Sequence, residues 1–218
     1  MELWQQWLAT IQHTLALAAG DLHLGMGLAI IVMTLAVRSV LLPLTWTIAR
    51  RAECRRISLQ RLKPRLERLK VQFTGDQQRY AQEMMKLYKR EGVTLLDPAS
   101  LLGALIQFPV FLGIFQVLRG IHRAGRFLWI ADLGRPDFLL AVIAGAATMA
   151  LMATNPDMPE HLRLMLMVLP AIFTIVAALK FSAALSLYWT TTNVFSGIQT
   201  LVLHAVLRRR AIGAAPER

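Results

Sequence analysis

Five stretches of the chain are apolar almost without interruption: residues 24–46, 99–119, 138–153, 162–180 and 182–206. A helix needs about 20 mostly apolar residues to cross the hydrocarbon of a bilayer, so each stretch reads as a transmembrane helix, the third being short. Continuous runs of this kind differ from the alternating short segments of a membrane β-barrel. The expected class is an all-α polytopic membrane protein. Two further segments are patterned differently. In residues 1–20, Leu3, Trp4, Trp7, Leu8, Ile11 and Leu15 recur at helical spacing without any Lys or Arg, which predicts an amphipathic helix lying in the membrane interface. In residues 50–91, Leu62, Leu66, Leu69 and Phe73 form one apolar stripe and Tyr80, Met84 and Leu87 another, with "TGD" at 74–76 between them. This predicts an antiparallel helical hairpin with arms over 50–73 and 76–91. Pro64 is expected to bend or delimit the first arm.

The composition agrees with a bilayer as the solvent: 56% of residues are hydrophobic, 17% are charged, and the mean hydropathy is +0.48. A net charge of +11 would suit nucleic acid or anionic lipid, and the distribution of charge decides between them. More than half of the 24 Lys and Arg lie between Arg50 and Arg90, and Arg208, Arg209, Arg210 and Arg218 close the chain in a basic tail, 207–218. Four spans, an even number, separate these two basic regions, which places them on one side. By the positive-inside rule that side is the cytoplasm, with the N-terminus outside and the C-terminus cytoplasmic. Arg119, Arg123, Arg126 and Arg135, around the outer connection between the second and third spans, run against this bias without reversing it. The basic hairpin is expected to clip spans together and touch anionic lipid, or to be the first contact for another polypeptide; recognition of a specific nucleic-acid sequence is not expected. Cys54 is the only cysteine, so an intramolecular disulfide is excluded.

Arg38 is the chemically unusual residue. It lies inside the first span, eight residues or about 12 Å of helix before Trp46, where a guanidinium facing lipid costs at least a few kcal/mol by insertion scales, about 2.5–3.5. All 13 Asp and Glu fall outside the five spans, so no acid is available inside them to pair with it. Snorkelling to the cytoplasmic interface is one resolution and water is the other. Thr34 sits one turn above Arg38 on the same face. Gln107, Thr148 and Gln199 lie at comparable depth in other spans, and "YWTTTN" (188–193) brings Tyr188, Trp189 and Asn193 to the middle of the fifth. Each of these groups alone is most simply satisfied by an interhelical hydrogen bond. Together with an unpaired arginine they point to a cavity wetted from the cytoplasm and closed outside. No catalytic residue, metal site or cofactor is expected.

The segments "GLAIIVMTLAVRSVLLPL", "LKPRLERLKVQFTGDQQRYAQEMMKLYKREGV", "LIQFPVFLGIFQVLRG", "FLWIADLGRPD" and "LYWTTTNVFSGIQ" together resemble the YidC/Oxa/Alb membrane protein insertases, in order, from about residue 20 to 207. The resemblance is to the short form that lacks the large outer domain of Gram-negative members. It implies a five-helix core around a hydrophilic groove that is open to the cytoplasm and to lipid, with the family's groove arginine at Arg38. It further implies insertion of newly made membrane proteins without nucleotide hydrolysis, alone or beside the Sec translocon, with the ribosome as a second possible partner. Two other classes compete. A transporter or channel calls for internal repeats or intramembrane acids, and the sequence has neither. A structural assembly factor would hold membrane subunits together without moving them.

Overall fold

The computed structural model describes residues 2–20, 25–92, 98–120, 125–155 and 160–213. Seven helices follow one another: α1 (Glu2–Ala19), α2 (Gly25–Gln72), α3 (Gln77–Arg90), α4 (Pro98–Arg119), α5 (Phe138–Ala153), α6 (Glu160–Ala178) and α7 (Ala183–Gly213). Among the described residues the only extended pairing is an isolated antiparallel bridge between Phe127 and Ile130, so the chain is all-α. By length and composition, α2 holds an apolar stretch long enough to cross a membrane; the apolar stretches Phe108–Arg119, Phe138–Ala153 and Leu162–Ala178 are shorter.

The helices start where local chemistry provides a cap. Asp137 accepts a hydrogen bond from the Leu140 backbone N–H at 2.7 Å, opening α5, and Asp76 accepts from the Arg79 N–H at 3.0 Å, opening α3. Each carboxylate satisfies an N–H that the helix itself leaves unpaired. Between α2 and α3 the chain turns at Gly75, whose φ of +95° disfavours any side chain.

The chain divides into two compact units, residues 1–43 with 107–218, and residues 44–106. In the first, the fully buried side chains Ile30, Ile114, Leu118 and Leu133 centre a core that also takes in Ile11, Leu15, Leu140, Leu185 and Tyr188. The connection before α5 is sewn to the start of α7, since Ala183 N–H donates to the Arg135 carbonyl at 2.8 Å and Ala184 N–H to the Leu133 carbonyl at 2.9 Å. Small residues set the helix spacing. A side chain at Gly145 of α5 would meet Ile175 of α6 at 2.4 Å, and one at Gly113 of α4 would meet the Trp7 indole of α1 at 2.4 Å. In the second unit, Leu62 is buried and an Arg65–Glu91 ion pair links the end of α3 to a turn of α2.

One expectation changes in detail. The helix containing Pro64 does not end there but continues to Gln72. Proline cannot donate the usual bond to the carbonyl four residues earlier; that residue, Gln60, is exposed. α1 is amphipathic over the expected residues; Ile11, Leu15 and Ala18 of its apolar stripe are buried in the core, and Leu3 is 83% exposed. The notch at Gly113 and a hydrogen bond from Trp4 Nε1 to Gln116 Oε1 at 3.3 Å seat α1 against α4.

Candidate functional site

Arg38 lies on α2 one turn beyond Thr34, half-buried, and close enough to the Tyr188 phenol of α7 to interact with it electrostatically. Among the described residues no carboxylate comes within ion-pair distance of Arg38. Thr192, one turn after Tyr188, approaches the phenol, but its buried Oγ1 has no hydrogen bond of good geometry. Continuing along that face of α7 at helical spacing come Ser196 and Gln199, both half-buried. Phe111 of α4 packs near Tyr188, with ring centroids 6.3 Å apart, and edge-on to Trp189 at 6.1 Å. Phe115 stacks against Phe111 at 5.9 Å and against Phe181 at 5.5 Å. This aromatic row packs around Tyr188 between α4 and α7.

The remaining polar residues form a separate cluster. Asn193 Nδ2 donates to Thr148 Oγ1 at 2.8 Å, and the Thr148 and Thr174 hydroxyl oxygens lie 3.2 Å apart. Thr148 and Thr174 also reach the carbonyls of Ala144 and Pro170, each at 2.9 Å. All three side chains are buried, so α5, α6 and α7 are joined by polar contacts inside an apolar bundle. Asn193 follows Tyr188 by five residues, which at 3.6 residues per turn puts the two on different faces of α7. Residues grouped by depth in the sequence therefore separate by direction. Thr34 is buried and satisfied by the Ile30 carbonyl at 2.6 Å. The hydroxyls of Thr190 and Thr191 fold back onto the carbonyls of Ser186 and Leu187, both at 2.8 Å, which lets "TTT" persist in a helix. The side chain of Gln107 lies outside the described residues. In the second unit, Leu66, Leu69, Tyr80, Met84 and Leu87 are half-buried alongside buried Leu62.

Sequence reasoning missed Thr174 and Thr192. Thr174 had a usable signal, being the lone polar residue in "LMLMVLPAIFTIVAAL". Thr192 stood within the quoted "YWTTTN" but is singled out only by the three-dimensional neighbourhood.

An all-helical chain with one described helix, α2, long and apolar enough to cross a membrane, and a guanidinium, Arg38, inside that stretch, fits the class of helical membrane proteins. Comparison with known proteins narrows the class. Residues 18–210 match the family described as 60Kd inner membrane protein. A membrane protein insertase YidC from Oceanobacillus iheyensis is 33% identical over 202 residues, covering 85% of this chain and 77% of the relative. A membrane protein insertase YidC from Cellvibrio japonicus is 37% identical over 189 residues, covering 84% of this chain but 33% of the relative. The fold resembles the crystal structure of an active YidC insertase with its first transmembrane domain resolved, at a TM-score of 0.61 and 24% identity, over 91% of this chain and 45% of that one. The chain belongs to the 60Kd inner membrane protein family, the YidC-type membrane protein insertases.

Proposed function

We propose that the chain inserts newly made membrane proteins into the bacterial inner membrane, using Arg38 as a fixed positive charge in a groove wetted from the cytoplasm. The supporting observation is a half-buried Arg38 on α2 that interacts electrostatically with Tyr188 of α7 and, among the described residues, has no carboxylate within ion-pair distance. A short polar tail of a client meets water and the guanidinium there instead of hydrocarbon, which lowers the cost of carrying it across. A single charge in a wet site holds an acidic tail only briefly, by about 1 kcal/mol at near-water dielectric. The client's apolar segment then partitions into lipid, and burial of its side chains, about 0.8 kcal/mol per methylene, drives the step to completion without nucleotide hydrolysis.

Around this site the reading assigns five spans with the N-terminus outside and the C-terminus in the cytoplasm. The α2–α3 region serves as a basic cytoplasmic hairpin that meets the client first and touches anionic lipid. Clients arrive from the ribosome or from the Sec translocon. The role is that of an insertase and chaperone, not a classical enzyme. The test is reconstitution: purified protein in liposomes, with no other protein present, is expected to insert a single-span substrate with a short translocated tail well above the rate of empty liposomes. Insertion no faster than in empty liposomes would assign the chain to holding membrane complexes together instead.

A further inference from the structure

The segment between α4 and α5 takes no part in the site described above, yet it is built with unusual care. Phe127 and Ile130 exchange both backbone hydrogen bonds, at 2.9 and 2.8 Å, and Leu133 N–H donates to the Gly125 carbonyl at 3.1 Å. The tight turn so formed holds Leu128 at a φ of +52°, a left-handed conformation that side-chain-bearing residues seldom adopt. Leu128 is nevertheless 70% exposed. Trp129 beside it is about half exposed, and its Nε1 donates to Asp137 Oδ1 at 3.3 Å, the same oxygen that caps α5. The indole is thus tethered at the first turn of a helix rather than free to fold inward. Phe138 and Leu139 continue the exposed apolar surface directly into the outward stripe of α5, Val142 and Met149. Exposed Arg126 and Arg135 flank it, the latter facing Asp132 at 3.8 Å.

We propose that this turn is a lipid anchor, with Leu128 and Trp129 seated in the interface of the leaflet at the start of α5 and Arg126 and Arg135 against its phosphates. Continuity with the apolar stripe of α5 selects lipid as the occupant. A tryptophan whose ring is apolar and whose N–H is polar suits the headgroup level, and guanidinium groups pair well with phosphate. Because the turn is hydrogen-bonded to the start of α7 as well as capping α5, anchoring it fixes the height of both helices in the bilayer.

The inference rests on the bundle lying in a bilayer, and not on insertion activity. The test attaches nitroxides to Leu128→Cys and, separately, to Ile172→Cys on the exposed face of α6, both in a Cys54→Ser background, in liposomes of phosphatidylglycerol and phosphatidylethanolamine. Collision with oxygen and with a water-soluble nickel chelate reports depth. The label at 128 is expected to show an oxygen-to-nickel ratio several-fold above that of the free label in water and below that at 172. A water-like ratio at 128 with a lipid-like ratio at 172 would overturn the anchor while leaving the bilayer placement intact. Water-like ratios at both positions would overturn the placement and the anchor together.

Discussion

Gly145 shows how a single residue decides a helix contact. Any side chain there would meet Ile175 at 2.4 and 2.8 Å and the Ala171 carbonyl oxygen at 3.1 Å, so α5 and α6 approach only because the position is bare. Gly145→Leu is expected to cost about 1–3 kcal/mol, the usual cost of overpacking, whereas Gly197→Ala, with nothing within 4 Å, should be tolerated. Thermal unfolding of both variants in detergent checks this, and matching stabilities would contradict the contact. The Asn193–Thr148 hydrogen bond gives a second residue-scale test: a double-mutant cycle with Asn193→Ala and Thr148→Val should show a coupling of about 0.6 kcal/mol and no more than roughly 1.7, as measured for interhelical bonds in membranes. Zero coupling would mean that the bond does not hold the bundle. That no carboxylate lies within ion-pair distance of Arg38 among the described residues agrees with every acid lying outside the apolar stretches of the sequence. Its neighbour Tyr188 was legible by depth. The assignment of Asn193 and Thr148 to a separate cluster was not, because depth fixes height along a helix and leaves direction open.

At the scale of elements, the later apolar runs coincide with helices α4 to α7, but the first run, 24–46, and the expected first arm, 50–73, lie on one continuous helix, Gly25–Gln72, because nothing in the sequence between them breaks a helix. Hydrophobic periodicity said less about what each helix packs against. α1 carries a stripe suited both to a membrane interface and to a core, and the contact of Trp7 with the bare Gly113 on α4 was not readable from the stripe alone. The continuity of α2 past Pro64 was similarly hidden, because a proline in a helix interior ends or kinks it depending on the surrounding packing. The stripes of the 50–91 region lead to a functional expectation. Replacing both Leu66 and Leu69, half-buried beside buried Leu62, with Asp should unfold that region's packing and slow insertion several-fold. The apolar helices should still reach the membrane, because burying two carboxylates disrupts only the surface they share. Proteolysis of the 50–91 region and insertion rate are measured together. Wild-type insertion with that region demonstrably open would remove its role as first contact.

For the whole molecule, the charge distribution makes the strongest claim. In a Cys54→Ser background, Thr10→Cys and Ala131→Cys should react with an impermeant thiol reagent added to intact cells, while Thr74→Cys and Ala215→Cys should stay protected until the membrane is opened. The opposite pattern would turn the groove toward the wrong side. The central claim, that Arg38 contributes its charge to a passing tail, is tested most directly in liposomes with paired clients that differ only in an acidic or a neutral translocated tail. Removing the guanidinium orphans no acid, so Arg38→Ala should fold and accumulate as the wild type does. It should slow the acidic-tail client by roughly five- to tenfold, equivalent to about 1 kcal/mol of lost attraction, and the neutral-tail client far less. Arg38→Lys, which keeps the charge and gives up only the planar hydrogen-bonding fork, should restore most of the difference. Equal slowing of both clients by Arg38→Ala, or failure of lysine to rescue the acidic one, would contradict an electrostatic role for this residue.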